Sequence, residues 1–375
     1  MAEVAHPEPR LFKEFLESIQ ELPDASAEFA PGGDHGHLDR IFDARIDLKV
    51  AGQSIELLVE VKKAVYPRDV REFLWHLREV SHSAAPRRDR DRQFLLLAES
   101  ISPGAKDLLR AERVGYFDSG GSLFLPGRSA YVYIDRPPPK PLQKSMRSLF
   151  SGRRAEVLHA LLVHHREWFG VKDIAKLVQV APSTASEVLS ELDRFEWLAS
   201  RGQGPTKERH LREPAALLDA WVKQLPSLKQ PDMHRYYVPG TKTDALIERL
   251  GRTFEAHDVK YAVSYEAAAQ RYAPFLSTVS QVRARVLAGP NADAAIVDIG
   301  ARLVSEGANL AIIKTNSPGE LLFRENLGEI WLASPIQVYL DLLRGEGRAR
   351  ELADHLRKER IGFLNGEACD SRGLQ

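Results

Sequence analysis

Residues 180–192 read VAPSTASEVLSEL, and the stretch they open, Pro182 to Phe195 (PSTASEVLSELDRF), decides how the middle of the chain folds. Ala185, Val188, Leu189 and Leu192 recur at three- and four-residue spacing, so they share one face of a helix. Ser183, Thr184, Ser186, Glu187 and Ser190 take the opposite face. Pro182 suits the first helical turn, and Thr184 with Glu187 has the spacing of a capping box. Upstream, residues 153–165 carry an apolar stripe of Val157, Leu158, Leu161 and Leu162. A short helix, Val171 to Leu177, and a tight connection, Val178 to Ala181, fill the gap. Downstream, Trp197 to Ala199 reads as a strand, Gly202 to Pro205 as a turn, and Thr206 to Arg212 as the returning strand.

This order of helix, short helix, turn, helix and two-stranded hairpin resembles the winged helix-turn-helix of bacterial regulators. The resemblance implies double-stranded DNA as partner. It makes the second helix of the pair the one that enters the major groove, where small hydroxyl side chains let the backbone approach. The contacts it suggests are Ser183, Thr184, Ser186, Glu187, Ser190 and Arg194 on that helix, and Arg201, Lys207, Arg209, His210 and Arg212 along the wing. Arg136, Lys140, Lys144 and Arg147 in the preceding segment would add phosphate contacts. The same architecture can also serve protein contacts or dimerisation, and the middle segment is not strongly basic overall.

Two seams divide the chain. Arg136 to Arg147 (RPPPKPLQKSMR) has three consecutive prolines, which favour an extended connector. Leu225 to Pro231 (LPSLKQP) is the second. The expected domains are therefore 1–135, a basic proline-rich linker 136–147, a DNA-binding domain 148–225, a C-terminal domain 232–363 and a flexible tail 364–375. A chain of 375 residues that is 43% apolar and 28% charged is globular and too long for one core. Lysine plus arginine and aspartate plus glutamate both number 52, which excludes coating nucleic acid by bulk charge but not a local basic surface. Cys369 is the one cysteine, so neither a disulfide framework nor a cysteine-rich zinc site is available. No window approaches the roughly 18 apolar residues of a membrane span, and the opening MAEVAHPEPR lacks the apolar core of a secretory signal. A reducing cytoplasm and no membrane partner are the expectation.

The first segment reads as α/β. Residues 11–22 place Leu11, Phe12, Phe15, Leu16 and Ile19 on one helical face. Phe42 to Val50 alternates, with Phe42, Ala44, Ile46, Leu48 and Val50 on one side and Asp43, Arg45, Asp47 and Lys49 on the other. Ser54 to Lys62 returns as a hairpin partner; a helix from about Arg68 to Val80 and an apolar strand, Phe94 to Ala98, follow. A further helix, Pro103 to Glu112, and a last strand, Tyr131 to Ile134, complete it. Glu60 and Lys62 leave one face of their strand, and Asp47 sits on the polar side of its partner. This resembles the D…E-x-K core of the restriction-endonuclease-like fold, in which Asp47 and Glu60 would hold Mg²⁺ and Lys62 would support the developing phosphate charge. A nuclease-like scaffold that does not cut, which is the expectation for this segment, or a salt-bridged surface strand has the same pattern, and Asp39 and Asp43 rival Asp47. A loop with two histidines, Asp34 to His37, is read as a loop and not a metal site.

The third segment contains YYVPG (Tyr236 to Gly240), YAVSYEAAAQRYAP (Tyr261 to Pro274), GANL (Gly307 to Leu310) and SPIQVYLDLLRGEGRARELADHLRK (Ser334 to Lys358). With the winged helix before them, these phrases resemble the AbiEi family of antitoxin regulators from type IV toxin–antitoxin and abortive-infection systems. The resemblance implies a repressor that binds repeats near its own promoter, paired genetically with a nucleotidyltransferase-like toxin it need not touch; bacterial winged-helix regulators often dimerise on paired half-sites, but no coiled-coil heptad is present to enforce a dimer. It also suggests a nucleotidyltransferase-like fold for this segment. The sequence reads Arg283-Ala284-Arg285 where such enzymes carry metal-binding aspartates, so no nucleotide transfer and no cofactor are expected. Arg271, Arg283 and Arg285 are then either phosphate contacts or a solvated strand face, while Tyr339, Leu340, Leu342 and Leu343 belong to the core.

Overall fold

The computed structural model describes residues 9–30, 42–83, 91–127, 132–240, 242–276 and 278–363. Asp34 to His37, Asp39, Tyr131 and the tail 364–375 with Cys369 lie outside the described residues. The fold is mixed α/β, and the chain divides into two compact units. The first takes in residues up to Met146 together with Glu191–Glu196; the second takes in Arg147–Ser190 and the chain from Trp197 onward. Among the described residues, no helix is long and apolar enough to cross a membrane.

The first unit runs α1 (Pro9–Gln20), β1 (Ala25–Phe29), β2 (Ala44–Val50), β3 (Gln53–Val65), α2 (Pro67–Ser83), β4 (Asp91–Ile101), α3 (Pro103–Ala111), β5 (Gly115–Asp118), β6 (Leu123–Leu125) and β7 (Val132–Ile134). Its seven strands lie in sheet order β1 to β7, with β3, β4 and β5 mutually parallel and the outer pairs antiparallel. Strand alternation gives the sheet two apolar faces. On one, Phe12, Phe15 and Ile19 of α1 pack against Ile46, Leu57 and Val59. On the other, Val70, Phe73 and Leu77 of α2 and Leu109 of α3 pack against Leu58 and Leu96. Phe42 precedes β2 and packs on this second face, away from Ile46 and Leu48, so the alternation starts at Ala44 rather than at Phe42.

The proline-rich segment is only half a connector. Pro137 to Pro139 are irregular, but Lys140–Leu149 form a helix, α4, with Leu142 and Leu149 buried. Pro141 sits in its first turn, where a missing N–H costs nothing.

The second unit continues with α5 (Gly152–Val163), α6 (Val171–Leu177), α7 (Pro182–Arg194, whose residues from Glu191 group with the first unit), β8 (Leu198–Arg201), β9 (Glu208–Leu211) and α8 (Pro214–Gln224). Next come β10 (Met233–Tyr237), α9 (Thr243–Ala256), β11 (Tyr261–Ser264), α10 (Tyr265–Tyr272), β12 (Val282–Leu287), α11 (Pro290–Asp298), β13 (Arg302–Leu303) and β14 (Leu310–Thr315). β15 (Glu325–Asn326), β16 (Trp331–Leu332), α12 (Pro335–Leu342) and α13 (Ala349–Leu356) complete it. Its seven-stranded sheet has the order β13-β10-β14-β12-β11-β16-β15, with β12–β14 and β11–β16 parallel and the other pairs antiparallel. β12 and β14 are central and apolar, Val282, Ala284, Val286, Leu310, Ala311 and Ile312 all being buried.

Candidate functional site

Each of the three helices before the small hairpin has buried apolar side chains. Val157, Leu158 and Leu161 of α5, Ile174 of α6, and Ala185, Val188, Leu189 and Leu192 of α7 are fully buried. Asp173 accepts the Gly170 N–H at 3.0 Å and so steadies the entry to α6. The connection to α7 is tight: Val178 is buried beneath it, and Gln179 adopts φ 55°, the left-handed conformation that lets the chain reverse direction in so few residues. The outer edge of α7 is polar. Ser183, Glu187 and Ser190 are exposed, and Thr184 and Ser186 are half-buried. β8 and β9 pair in the register Leu198↔Leu211 to Arg201↔Glu208, and Phe169 and Arg209 exchange both backbone hydrogen bonds at 2.8 Å.

The basic residues of the hairpin do not all face outward. Arg209 is 8% exposed, on the same face of β9 as buried Leu211, so it leaves the set of surface contacts. Period-two alternation turns Glu208 and His210 to the other side, and reading the hairpin as a uniformly basic strip overlooked it. Arg201 is exposed but occupied: it pairs with Glu208 at 2.6 Å and stacks 4.3 Å from the Trp168 ring centroid. Arg212 is exposed and pairs with Glu213 at 3.3 Å, and Lys207 is half-buried. Burial lowers the pKa of His210, so its ring is neutral near pH 7. Arg194 belongs to the first unit, 3.9 Å from the Tyr66 ring centroid and 3.8 Å from Asp69, and is likewise committed. Lys140, Lys144 and Arg147 are exposed on α4.

The carboxylates of the first unit are arranged differently from the expectation. Asp47 pairs in register with Glu56, whose carboxylate already faces Arg45 at 3.7 Å and Arg92 at 2.8 Å. Glu60 lies four residues further along β3, roughly 13 Å away at strand spacing, so Asp47 and Glu60 cannot share a metal ion. Hairpin register explains the error: in an antiparallel pair the partner number falls as the residue number rises, and Asp47 is too near the turn. Asp43 sits just beyond the Ala44↔Val59 pair, next to Glu60, and its Oδ2 accepts the Val61 N–H at 2.7 Å. Lys62 Nζ lies 2.7 Å from Glu60 Oε1. Partial burial would lower the lysine's pKa, but the Glu60 hydrogen bond and charge, aided by Glu72 and Asp43, raise it. Glu60, Lys62, Glu72 and His76 line a cleft of about 460 Å³. Among the described residues, no three His, Cys, Asp or Glu side chains are grouped to hold a metal ion.

A buried polar network in the second unit has no signature in the sequence. Arg285, on central β12, donates to Asp341 through Nε at 3.1 Å and Nη2 at 2.6 Å, and through Nη1 to Glu320 at 2.8 Å. Asp341 also accepts from Ser264 at 2.6 Å and Gln337 at 2.9 Å. Burial alone would lower the pKa of Arg285; Asp341 and Glu320 raise it well above its ordinary value. Arg285 is therefore a buried structural cation and not a phosphate contact. Arg283 is also engaged, with Glu266 at 3.3 Å and the Tyr265 ring at 4.7 Å, while Arg271 lies 3.8 Å from Asp244. His159 on α5 meets Ser334 Oγ at 2.5 Å; burial, with Arg285 adding to it, pushes its pKa down to about 4. The ring is thus neutral and can take the hydroxyl proton, while Ser334 Oγ accepts the Gln337 N–H at 3.2 Å and caps α12. No family model, curated protein or solved structure matches the chain.

Proposed function

We propose that the chain is a sequence-specific, double-stranded-DNA-binding regulator of the AbiEi antitoxin type, acting in the cytoplasm, with α5 to β9 as a winged helix-turn-helix and α7 as the reading helix. The observation that carries this reading is the two-sidedness of α7: four apolar side chains are fully buried, and Ser183, Glu187 and Ser190 are exposed along one polar edge. A helix held this way can lay that edge in a major groove without disturbing its own core. Exposed Arg212, Lys140, Lys144 and Arg147 suit phosphate contacts. In this reading the first unit is a restriction-endonuclease-like domain and the second sheet a nucleotidyltransferase-like domain whose Arg285 stands where a metal ligand would be needed. The test is a band shift with a random duplex pool, followed by selection of the tightest sequence. Binding should fall steeply between 50 and 200 mM salt, with a log–log slope of about −0.9 per phosphate contacted. No shift at low salt with any duplex would end the proposal.

A second reading, a metal-dependent nuclease, draws on the closeness of Asp43, Glu60 and Lys62. In that reading Asp43 and Glu60 would hold the cation, which would supply charge stabilisation at phosphate, and Lys62 would steady Glu60. Plasmid nicking with Mg²⁺ or Mn²⁺ that is lost in Glu60→Ala and Asp43→Ala but retained in Asp47→Ala would favour it.

A further inference from the structure

Within the second unit, a cavity of about 530 Å³ opens between α5 and the sheet, a size that suits a small organic ligand. Its floor is apolar, made by Leu228, Leu340, Trp221 and Phe150, with the last two rings 5.8 Å apart. Its walls hold charges of both signs, and the difference lies in which of them are satisfied. Asp341 is taken up by Arg285, Ser264 and Gln337, and Glu320 by Arg285. Glu156 is buried and accepts from Arg153 at 2.8 Å and from Ser317.

Arg344 is the exception. It lines the cavity half-buried, and among the described residues its one side-chain hydrogen bond runs from Nη1 to the Lys229 carbonyl at 3.3 Å. Among the described residues it makes no ion pair. Its guanidinium is drawn partly out of water, and burial lowers its pKa; the charge of Asp341, already hydrogen-bonded to Arg285, offsets only part of that. Lys229 adds an exposed cation at the same rim. A forked guanidinium with most of its five donors unspent, next to an ammonium, is the chemistry that receives phosphate or carboxylate oxygens.

We propose that this cavity binds a small organic anion, its phosphate or carboxylate held by Arg344 and Lys229 and its apolar body set against Leu228, Trp221 and Leu340. Arg153 and Glu156 of α5 line the same cavity, so occupancy acts on the helix that opens the helix-turn-helix order. That second step, a change in DNA affinity, rests on the regulator reading; binding of the anion does not.

The experiment is calorimetric titration of the full chain with AMP, with salicylate and with inorganic phosphate. The expected result is that AMP, salicylate or both bind, and more tightly than inorganic phosphate. Arg344→Ala should weaken that binding at least tenfold, Lys229→Ala less, and Arg344→Lys should recover part of the loss. Lys229 is exposed, so its variant keeps the test open if Arg344→Ala does not fold. Failure of both ring-bearing anions to bind, binding unchanged in the Arg344 and Lys229 variants, or inorganic phosphate binding as well as AMP would each overturn the proposal. Calorimetry without DNA keeps this outcome separate from the regulator reading. A parallel duplex titration with and without the bound anion then reports the coupling, expected as a several-fold change in affinity.

Discussion

Replacing Asp341 with leucine should be among the most damaging single changes in the second unit. The carboxylate is 1% exposed and receives four hydrogen bonds: two from Arg285, one from Ser264 and one from Gln337. Leucine fills the volume but leaves Arg285, itself 6% exposed, with Glu320 alone. Breaking a buried ion pair from one side costs about 3–5 kcal/mol. Glu320 is part-exposed and stays in place, which puts the expected loss near the lower end of that range. Against a typical stability of about 5–15 kcal/mol, the loss is large. Removing both charges is different. Arg285→Met with Asp341→Leu discards the pair and its desolvation cost together, so the double variant should be more stable than Asp341→Leu by about 2 kcal/mol or more. The assay is urea unfolding followed by tryptophan fluorescence, to which Trp168, Trp197, Trp221 and Trp331 contribute from this unit. A single-variant loss below about 1 kcal/mol, or a double variant no better than the single one, would refute the reasoning.

Other expectations follow from the same contacts. His159 titrates near 4 when folded but at its ordinary 6.5 when unfolded, so the unfolded chain takes up a proton that the folded chain refuses. Stability should be at its full value above pH 6.5 and fall by the order of 3 kcal/mol as pH drops toward 4. His159→Gln should lose that part of the pH dependence in denaturation measured at successive pH values. A methyl group at Gly319 would run into the Glu156 carboxylate, which Arg153 and Ser317 pin in place, so Gly319→Ala should cost about 1–3 kcal/mol. Pairing it with Glu156→Ala should recover part of that cost in the same melt, and no recovery would mean the clash lies elsewhere. Arg209→Ala should lower the melting temperature, whereas exposed Arg212→Ala should leave it unchanged and flatten the salt dependence of DNA binding by about one contact.

The elements most legible in the sequence are those with a clear period. The apolar stripes of α1, α5 and α7 and the alternation of β2 and β3 all appear close to where the pattern puts them. β1, β5 and β6 escaped notice because each has five residues or fewer, too short for alternation to stand out. Three prolines drew attention away from α4, although Leu142 and Leu149 carry a stripe and the proline inside the helix sits in its first turn. Position on a strand was harder to infer than the strand itself. Asp47 and Asp43 are both candidates by sequence spacing, and only the pairing register says which one lies beside Glu60. The Arg285–Asp341 pair joins residues 56 apart, and nothing local in either segment announces the other. Arg209 misled for the opposite reason: a basic side chain invites an exposed placement, but the alternation set by Leu211 turns it inward.

The exposed edge of α7 can be tested by charge. With the tightest duplex from a random pool in hand, its affinity is measured by fluorescence anisotropy for the natural chain and for Ser183→Glu and Ser190→Glu. Both substitutions are on solvent-facing positions, so melting temperatures should not move. Each should weaken the selected duplex by about 1–3 kcal/mol, roughly five- to 150-fold, and narrow the gap to an unrelated sequence. Unchanged affinity and unchanged discrimination in both variants would show that α7 does not read DNA.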